Sequence, residues 1–264
     1  MPAFQTVTRY IFQNSFLFLK NIVQFPFSRS SRHKLYHSYD ALTYPFFDKR
    51  YIELSGLLNN DELQVCLSPL KAREHNVSEF ELVCISALIK DRQANAVFEI
   101  GTYDGRTARS MAMNLKNDEG TVFTLNLPPE AETVTLATHS IDVALASKVV
   151  SGQRFIGTAQ EKYIRQLWGD SATFDFSPYH KKMDVVFIDG AHSEGYVSND
   201  TMHSIEMIKP QGGLIVWHDA HLYGVKDFFI KWLKQNDYPV YFIRSSTVAV
   251  MGVRNGKPYD LLKG

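Results

Sequence analysis

Cysteine is scarce in this chain: its 264 residues include only Cys66 and Cys84. Two such thiols give neither a disulfide framework nor a zinc-ligand spacing, so they read as free thiols of a reducing, cytoplasmic setting. Cys84 falls within an apolar helical pattern, where a small hydrophobe fits. Surplus charge is also missing, because 28 Lys and Arg balance 28 Asp and Glu. That balance argues against nucleic-acid binding, which needs a concentrated basic surface. There is no internal repeat and no low-complexity tract. With 45% hydrophobic and 21% charged residues, the chain has the composition of a globular protein, long enough for one α/β domain and an appendage.

Acid is absent from the first 39 residues, which carry Arg9, Lys20, Arg29, Arg32 and Lys34 around an aromatic stretch, Tyr10–Leu19. That stretch is shorter than the roughly 20 apolar residues of a membrane span, and it lacks the small-residue cleavage site of a secretory signal. A helical arm packing on the domain or on a second copy of the chain fits this composition. So does an interfacial helix giving peripheral membrane contact, or a transit peptide. Residues 1–75 are therefore expected to form an arm and an irregular connection, and 76–264 the domain.

Regular patterning starts at Ser78, which stands in capping-box spacing with Glu81 ahead of Phe80, Val83, Cys84, Ala87 and Leu88 at helical intervals. Extended and helical segments then alternate. Ala96–Ile100, Thr121–Leu127, Arg154–Gly157, Asp184–Ile188 and Leu214–Trp217 read as strands, and Val240–Arg244 with Thr247–Val253 as a terminal strand pair. Arg106–Leu115, Ala131–Ser147, Gln160–Trp168, Tyr196–Ile208 and Val225–Gln235 read as helices. The alternation predicts an α/β fold with a parallel sheet and helices on both faces. Ligands of such sheets bind beyond the carboxyl ends of the central strands.

At the end of the first strand stands Glu99-x-Gly101-x-x-x-Gly105. Gly101 lets the backbone leave the strand sharply, and Gly105 lets a ligand approach the next helix. The unpaired N–H groups at that helix's start suit an electron-rich ligand. Tyr103 stands where a dinucleotide fingerprint needs glycine, which disfavours a dehydrogenase.

This loop resembles the first motif of class I S-adenosylmethionine-dependent methyltransferases. Val185–Asp200, VVFIDGAHSEGYVSND, is similar to the fourth-strand segment of the small-molecule branch of that superfamily, and Leu214–Asp219, LIVWHD, to the fifth. The resemblance spans roughly residues 76–253 and implies a Rossmann-like, doubly wound α/β fold, a mostly parallel seven-stranded sheet with an antiparallel C-terminal strand. It implies that Glu99, Gly101, Thr102, Tyr103 and Gly105 lie at the cofactor's amino-acid end. It also implies that Asn126 stands where an acid usually meets the ribose, and Thr158 where an acid faces the adenine. An uncharged acceptor at these two places makes a weaker hydrogen bond than a carboxylate.

Asp189 and Asp219 end the two buried strands and form a carboxylate pair suited to magnesium or another divalent metal. They resemble the metal-holding acids of catechol and caffeoyl-coenzyme A O-methyltransferases, except that Ala220 replaces the following Asn. His192, His218 and His221 are nearby, and imidazole shifts preference towards manganese, iron or zinc. A hydroxyl acceptor gains from losing its proton, either to a metal's influence or to a histidine base. His192 and His218 are the candidates for that base, with Asp189 as a further catalytic residue that also contacts the cofactor. The resemblance implies methyl transfer to a small molecule, at oxygen. A non-catalytic relative that binds or scaffolds, and a metal-dependent enzyme of another class such as a hydrolase, stay open beside it.

Overall fold

The computed structural model describes residues 50–263 apart from 61, 132, 141, 145–148 and 237. The arm expected over the first forty residues lies outside them. One compact unit covers Ile52–Gly264, so residues 52–75 share a unit with the domain that was expected to begin at 76. No helix among the described residues is long and apolar enough to cross a membrane.

Five strands lay down the parallel part of the sheet. These are β1 (Ala96–Ile100), β2 (Thr121–Asn126), β3 (Ile164–Trp168), β4 (Val185–Ile188) and, after a further crossover, β5 (Gly213–Trp217). The chain then adds β6 (Val240–Ile243), β7 (Ala249–Arg254) and β8 (Lys257–Tyr259). The main strand order is β6-β7-β5-β4-β1-β2-β3, with β7 antiparallel to β5 and β6, and β8 paired on β7. The fold is therefore the Rossmann-like, mostly parallel sheet that the resemblance implies, with antiparallel strands at its C-terminal end and β8 in addition to the seven strands expected. Helices α1 (Glu79–Asp91), α2 (Arg106–Met113), α3 (Glu194–Met207) and α4 (Tyr223–Gln235) cover it.

Strand pleating sends alternate residues to opposite faces. Val97, Val185, Phe187, Leu214 and Val216 pack in one core with Leu82, Ile85 and Leu88 of α1 and Met111 of α2. On the other face, Trp217 meets Phe229 and Trp232 of α4 at ring-centroid distances of 5.4 and 6.1 Å. Its indole N–H donates to Thr201 Oγ1 of α3 at 2.9 Å. Phe98 sits 5.6 Å from Phe176 and 4.9 Å from Tyr179. The segment before α1 is irregular, as expected, yet it is anchored. Arg106 is buried, and its guanidinium donates to the Pro69, Leu70 and Val77 carbonyls at 2.8 Å each.

Three sequence expectations fail, for identifiable reasons. Arg154–Gly157, expected as the third strand, is a series of turns, and 160–168, expected as a helix, is a 3-10 turn (Glu161–Tyr163) leading into β3. β3 lies at the sheet's edge and carries Arg165 and Gln166 among its apolar residues, so it lacks the unbroken apolar run of a buried strand. Ala131–Ser147, expected as a helix, is not helical through residue 139 at the described positions. Side chains take its backbone donors instead: Thr135 N–H donates to Asp170 Oδ2 at 2.7 Å and Leu136 N–H to Tyr196 Oη at 3.4 Å.

Asp200 of α3 is fully buried, and its Oδ2 has no hydrogen-bond partner among the described residues. Burial pushes its carboxyl up to about 7, against the hydrogen bonds from Ser171 and Asn199. Folding therefore favours the protonated acid. The resulting stability is complete below pH 4 and is lost as the pH rises towards 7. Asp200→Asn should leave the denaturation midpoint nearly unchanged at pH 4 and raise stability at pH 8 by about 3–4 kcal/mol, measured by urea unfolding at both pH values.

Candidate active site

The parallel ladder continues one residue past each strand. Gly101 N–H donates to Leu125 O, Asp189 N–H to Ile100 O and His218 N–H to Ile188 O, at 2.8, 2.8 and 3.0 Å. With Ile100, Ile188 and Trp217 in register, the residues following β1, β4 and β5 stand side by side at the carboxyl edge. A cavity of about 570 Å³ opens there, lined by Gly101, Tyr103, Asn126, Asp189, His192 and Asp219 among others. Its size is that of a site for a small ligand or cofactor.

The loop between β1 and α2 takes its course from left-handed backbone at Gly101 (φ 103°), Tyr103 (φ 47°) and Gly105 (φ 81°). A Cβ on Gly101 would lie 2.1 Å from the Asp189 carbonyl oxygen, and one on Gly105 would meet Gly152 and Phe155. The segment 150–156 holds the loop from outside: Gly152 N–H donates to Tyr103 O, Arg154 N–H to Asp104 O, and the Arg154 guanidinium pairs with Asp104 at 2.7 Å.

Not every residue implied by the resemblance reaches the cavity. Gly101, Tyr103, Asn126 and Asp189 line it, whereas Glu99, Thr102 and Gly105 lie behind its wall. Glu99 is fully buried and accepts from Thr124 Oγ1, while its Oε1 has no hydrogen-bond partner among the described residues. Burial raises its carboxyl well above the usual range, and the neighbouring Asp189 and Asp104 reinforce that shift. Thr102 is tied to Thr124 and Gln166. Thr158 is not among the cavity-lining residues; it sits in the turns before β3 with its hydroxyl on the Phe155 carbonyl at 2.6 Å. The true end of β3 is followed by Gly169–Asp170, and both residues line the cavity. That Gly-Asp pair is the signal that would have located the strand end. Asp170 is occupied within the protein, accepting from Thr135 N–H, Ala172 N–H and Tyr196 Oη. Asn126 donates to Ser151 Oγ at 3.1 Å, which leaves its carbonyl oxygen as an acceptor.

At the other wall, two imidazoles interleave with four carboxylates. His218 Nδ1 lies 3.0 Å from Asp189 Oδ1 and 3.3 Å from Asp219 Oδ2, and its Nε2 lies 3.2 Å from Glu81 Oε2. His192 Nδ1 is 3.0 Å from Asp142 Oδ1 and its Nε2 is 3.2 Å from Asp219 Oδ2. Asp142 also accepts from His192 N–H and from Thr138 Oγ1. Burial opposes charge on both rings, but the carboxylates outweigh it: the pair from Asp142 and Asp219 holds His192 up at about 10, and Asp189 and Asp219 hold His218 well above its ordinary value. Burial likewise works against Asp219 and Glu81, and the imidazoles bring both well below the usual carboxylate range. Asp219 takes left-handed backbone, φ 52°.

Glu81 and Asp142 were not among the sequence candidates. Glu81 caps α1, forming the capping box with Ser78 as the spacing predicts, yet it also accepts from Thr247 N–H and Oγ1 at 2.8 and 2.7 Å and reaches His218. Asp142 lies in a stretch that carries no motif. Asp189, His218 and Asp219 each offer a ligand atom, and these atoms lie within 4.8 Å of one another. The donor set thus adds His218 to the expected Asp189–Asp219 pair. His221 is buried nearby but falls outside this group.

Residues 98–220 match the family model described as a methyltransferase domain. No curated protein sequence matches the chain. Among solved structures, the chain is similar to an O-methyltransferase from Streptomyces achromogenes involved in tomaymycin synthesis, in complex with SAM. That likeness has 16% identity and a TM-score of 0.49, covering 71% of this chain and 92% of the other. It is also similar to an O-methyltransferase from Bacillus cereus in complex with SAH (14% identity, TM-score 0.46, 69% and 84% covered). An SAH-bound methyltransferase from Podospora anserina is a third such likeness (14% identity, TM-score 0.48, 69% and 80% covered). The matched stretch 98–220, which includes the ends of β1, β4 and β5, is similar to a methyltransferase domain.

Proposed function

We propose that this chain is a methyltransferase that uses S-adenosylmethionine to methylate a hydroxyl group of a small molecule in the cavity at the ends of β1, β4 and β5. The observation that carries the reading is that one cavity is lined both by the Gly101–Tyr103 turn and by the Asp189, His192 and Asp219 cluster. The first is suited to a cofactor and the second to activating an acceptor. When bound, S-adenosylmethionine supplies an electrophilic methyl group on a sulfonium. The left-handed turn at Gly101 and Tyr103 brings backbone rather than side chain to that ligand, and the Asn126 carbonyl oxygen is an uncharged acceptor for its ribose.

Asp189, His218 and Asp219 suit a divalent cation, and the imidazole favours manganese, iron or zinc over magnesium. Such an ion lowers the pKa of a hydroxyl bound to it. Glu81 at the far nitrogen of His218 is the outer carboxylate that orients a metal-bound histidine. His192, steadied by Asp142 on Nδ1, is the residue we assign as the base; it must first give up the proton that Asp142 and Asp219 hold on it before it takes the acceptor's. The apolar side chains of Leu127, Val134, Val143 and Leu222 along the cavity favour an acceptor with a largely apolar body.

Isothermal titration with S-adenosylhomocysteine tests the cofactor assignment. Binding to the wild type and its loss in Gly101→Arg are expected; absence of binding to the wild type overturns the proposal. In a screen of small phenols and alcohols with methyl-labelled cofactor, His192→Gln should reduce kcat about 10²–10³-fold while S-adenosylhomocysteine affinity stays the same. Unchanged kcat would remove His192 from the chemistry. For the ion, chelation should abolish turnover and added manganese restore it, with Glu81→Gln requiring about tenfold more metal for half-maximal rate. Chelator-insensitive transfer, or full activity in Asp219→Asn, would eliminate the metal assignment.

A further inference from the structure

A second cluster of metal-ligating side chains stands apart from the cavity. His180 follows the 3-10 turn Ser177–Tyr179, and His203 and Glu206 lie one turn apart near the end of α3. None of the three lines the cavity. His180 Nε2 is 3.4 Å from Glu206 Oε2, His203 Nδ1 is 3.9 Å from the same oxygen, and one ligand atom from each residue lies within 4.8 Å of the others. Ligands at about 2.0–2.1 Å from a tetrahedral zinc ion are roughly 3.3–3.4 Å apart. The His180–Glu206 pair already has that spacing, the His203–Glu206 pair needs a shift of about half an ångström, and the ligand atoms of the two histidines lie within 4.8 Å of each other.

The surroundings hold the His180 backbone and the His203 ring in place before any ion arrives. Lys181 N–H donates to Glu206 O, and the Lys182 and Met183 N–H groups both donate to Met207 O, all at 2.9 Å. The left-handed backbone at Lys181 (φ 58°) turns the chain into these bonds, so His180 is clamped by main chain to the last turn of α3. The His203 ring stacks on the buried Phe176 at 4.7 Å with an interplanar angle of 28°, which restricts its rotation. Lys182 Nζ is taken by the Pro178 carbonyl at 2.6 Å. The Asp175 carboxylate, held below its ordinary range by hydrogen bonds from Ser177, also feels His180, so the local field holds a further negative charge. All three side chains are partly exposed, His180 38%, His203 34% and Glu206 57%, which leaves an open approach and room for water as a fourth ligand.

We propose that His180, His203 and Glu206 form a second, structural site for zinc or a similar late first-row divalent cation. Two imidazoles and one carboxylate are the donors such ions take. The ion would pin the entry of β4 to the end of α3. The opposite ends of that same β4–α3 unit carry Asp189 and His192. The site therefore braces the active edge from below without entering the chemistry.

The test uses full-length, tag-free protein carrying Asp219→Asn, which removes one ligand of the cavity cluster. Titration with zinc alone should show one site in the micromolar range, a rise in Tm on saturation, and a visible d–d spectrum of tetrahedral character with cobalt in place of zinc. His203→Ala and, separately, His180→Ala in that background should each weaken zinc binding by more than about tenfold and erase the cobalt spectrum. The His180 substitution sits outside the helix and the Phe176 stack, so it guards against a folding defect in the first. In the otherwise wild-type chain, His180→Ala should leave S-adenosylhomocysteine binding unchanged. Zinc binding that is equal with and without the two histidines, or no zinc binding in the Asp219→Asn protein, overturns the proposal.

Discussion

The parallel register of β1, β4 and β5 is the constraint on which the functional edge depends. Because the ladder runs one residue beyond each strand, Gly101, Asp189 and His218 are fixed side by side by main-chain hydrogen bonds at 2.8–3.0 Å. Their spacing therefore does not rest on side-chain packing. Gly101 is indispensable to this arrangement, since any Cβ there would collide with the Asp189 carbonyl. A one-residue slip of β4 would send Asp189 to the opposite face of the sheet and dissolve the site.

Charge organises what the register brings together. Four carboxylates at this density repel one another, and the structure answers with two imidazoles placed between them. Each ring is shared by acids from different elements: α1 supplies Glu81, the stretch between β2 and β3 supplies Asp142, and the β4 and β5 ends supply Asp189 and Asp219. The cluster thus ties distant pieces of the chain to one edge. Removing a single member would leave a buried charge without its counterpart, so its parts act as a unit.

Much of this was legible in the sequence. VFEI, VVFI and LIVW are strands buried on both faces, and such strands read as continuous apolar runs; Asp189, His218 and Asp219 are recognisable because they directly follow two of them. The cap of α1 was equally plain, because Ser78 and Glu81 satisfy it within four residues. β3 was misplaced, since an edge strand needs no unbroken apolar run and Ile164–Trp168 mixes its polarity. Thr158 was then taken for a strand-end residue in place of Gly169–Asp170. The expected helix after Pro129 gave way because Asp170 and Tyr196, far along the chain, bind its backbone donors.

Local sequence determined which segments extend, which coil and where the glycine turn must sit, because burial pattern, capping and left-handed backbone are properties of neighbouring residues. Tertiary structure alone decided which distant acids meet which histidines. Glu81 is 137 positions from His218 and Asp142 is 50 from His192. No periodicity spans such gaps; only the order in which strands pair in the sheet, and the helix and loop laid over their ends, brings those groups within 3.2 Å.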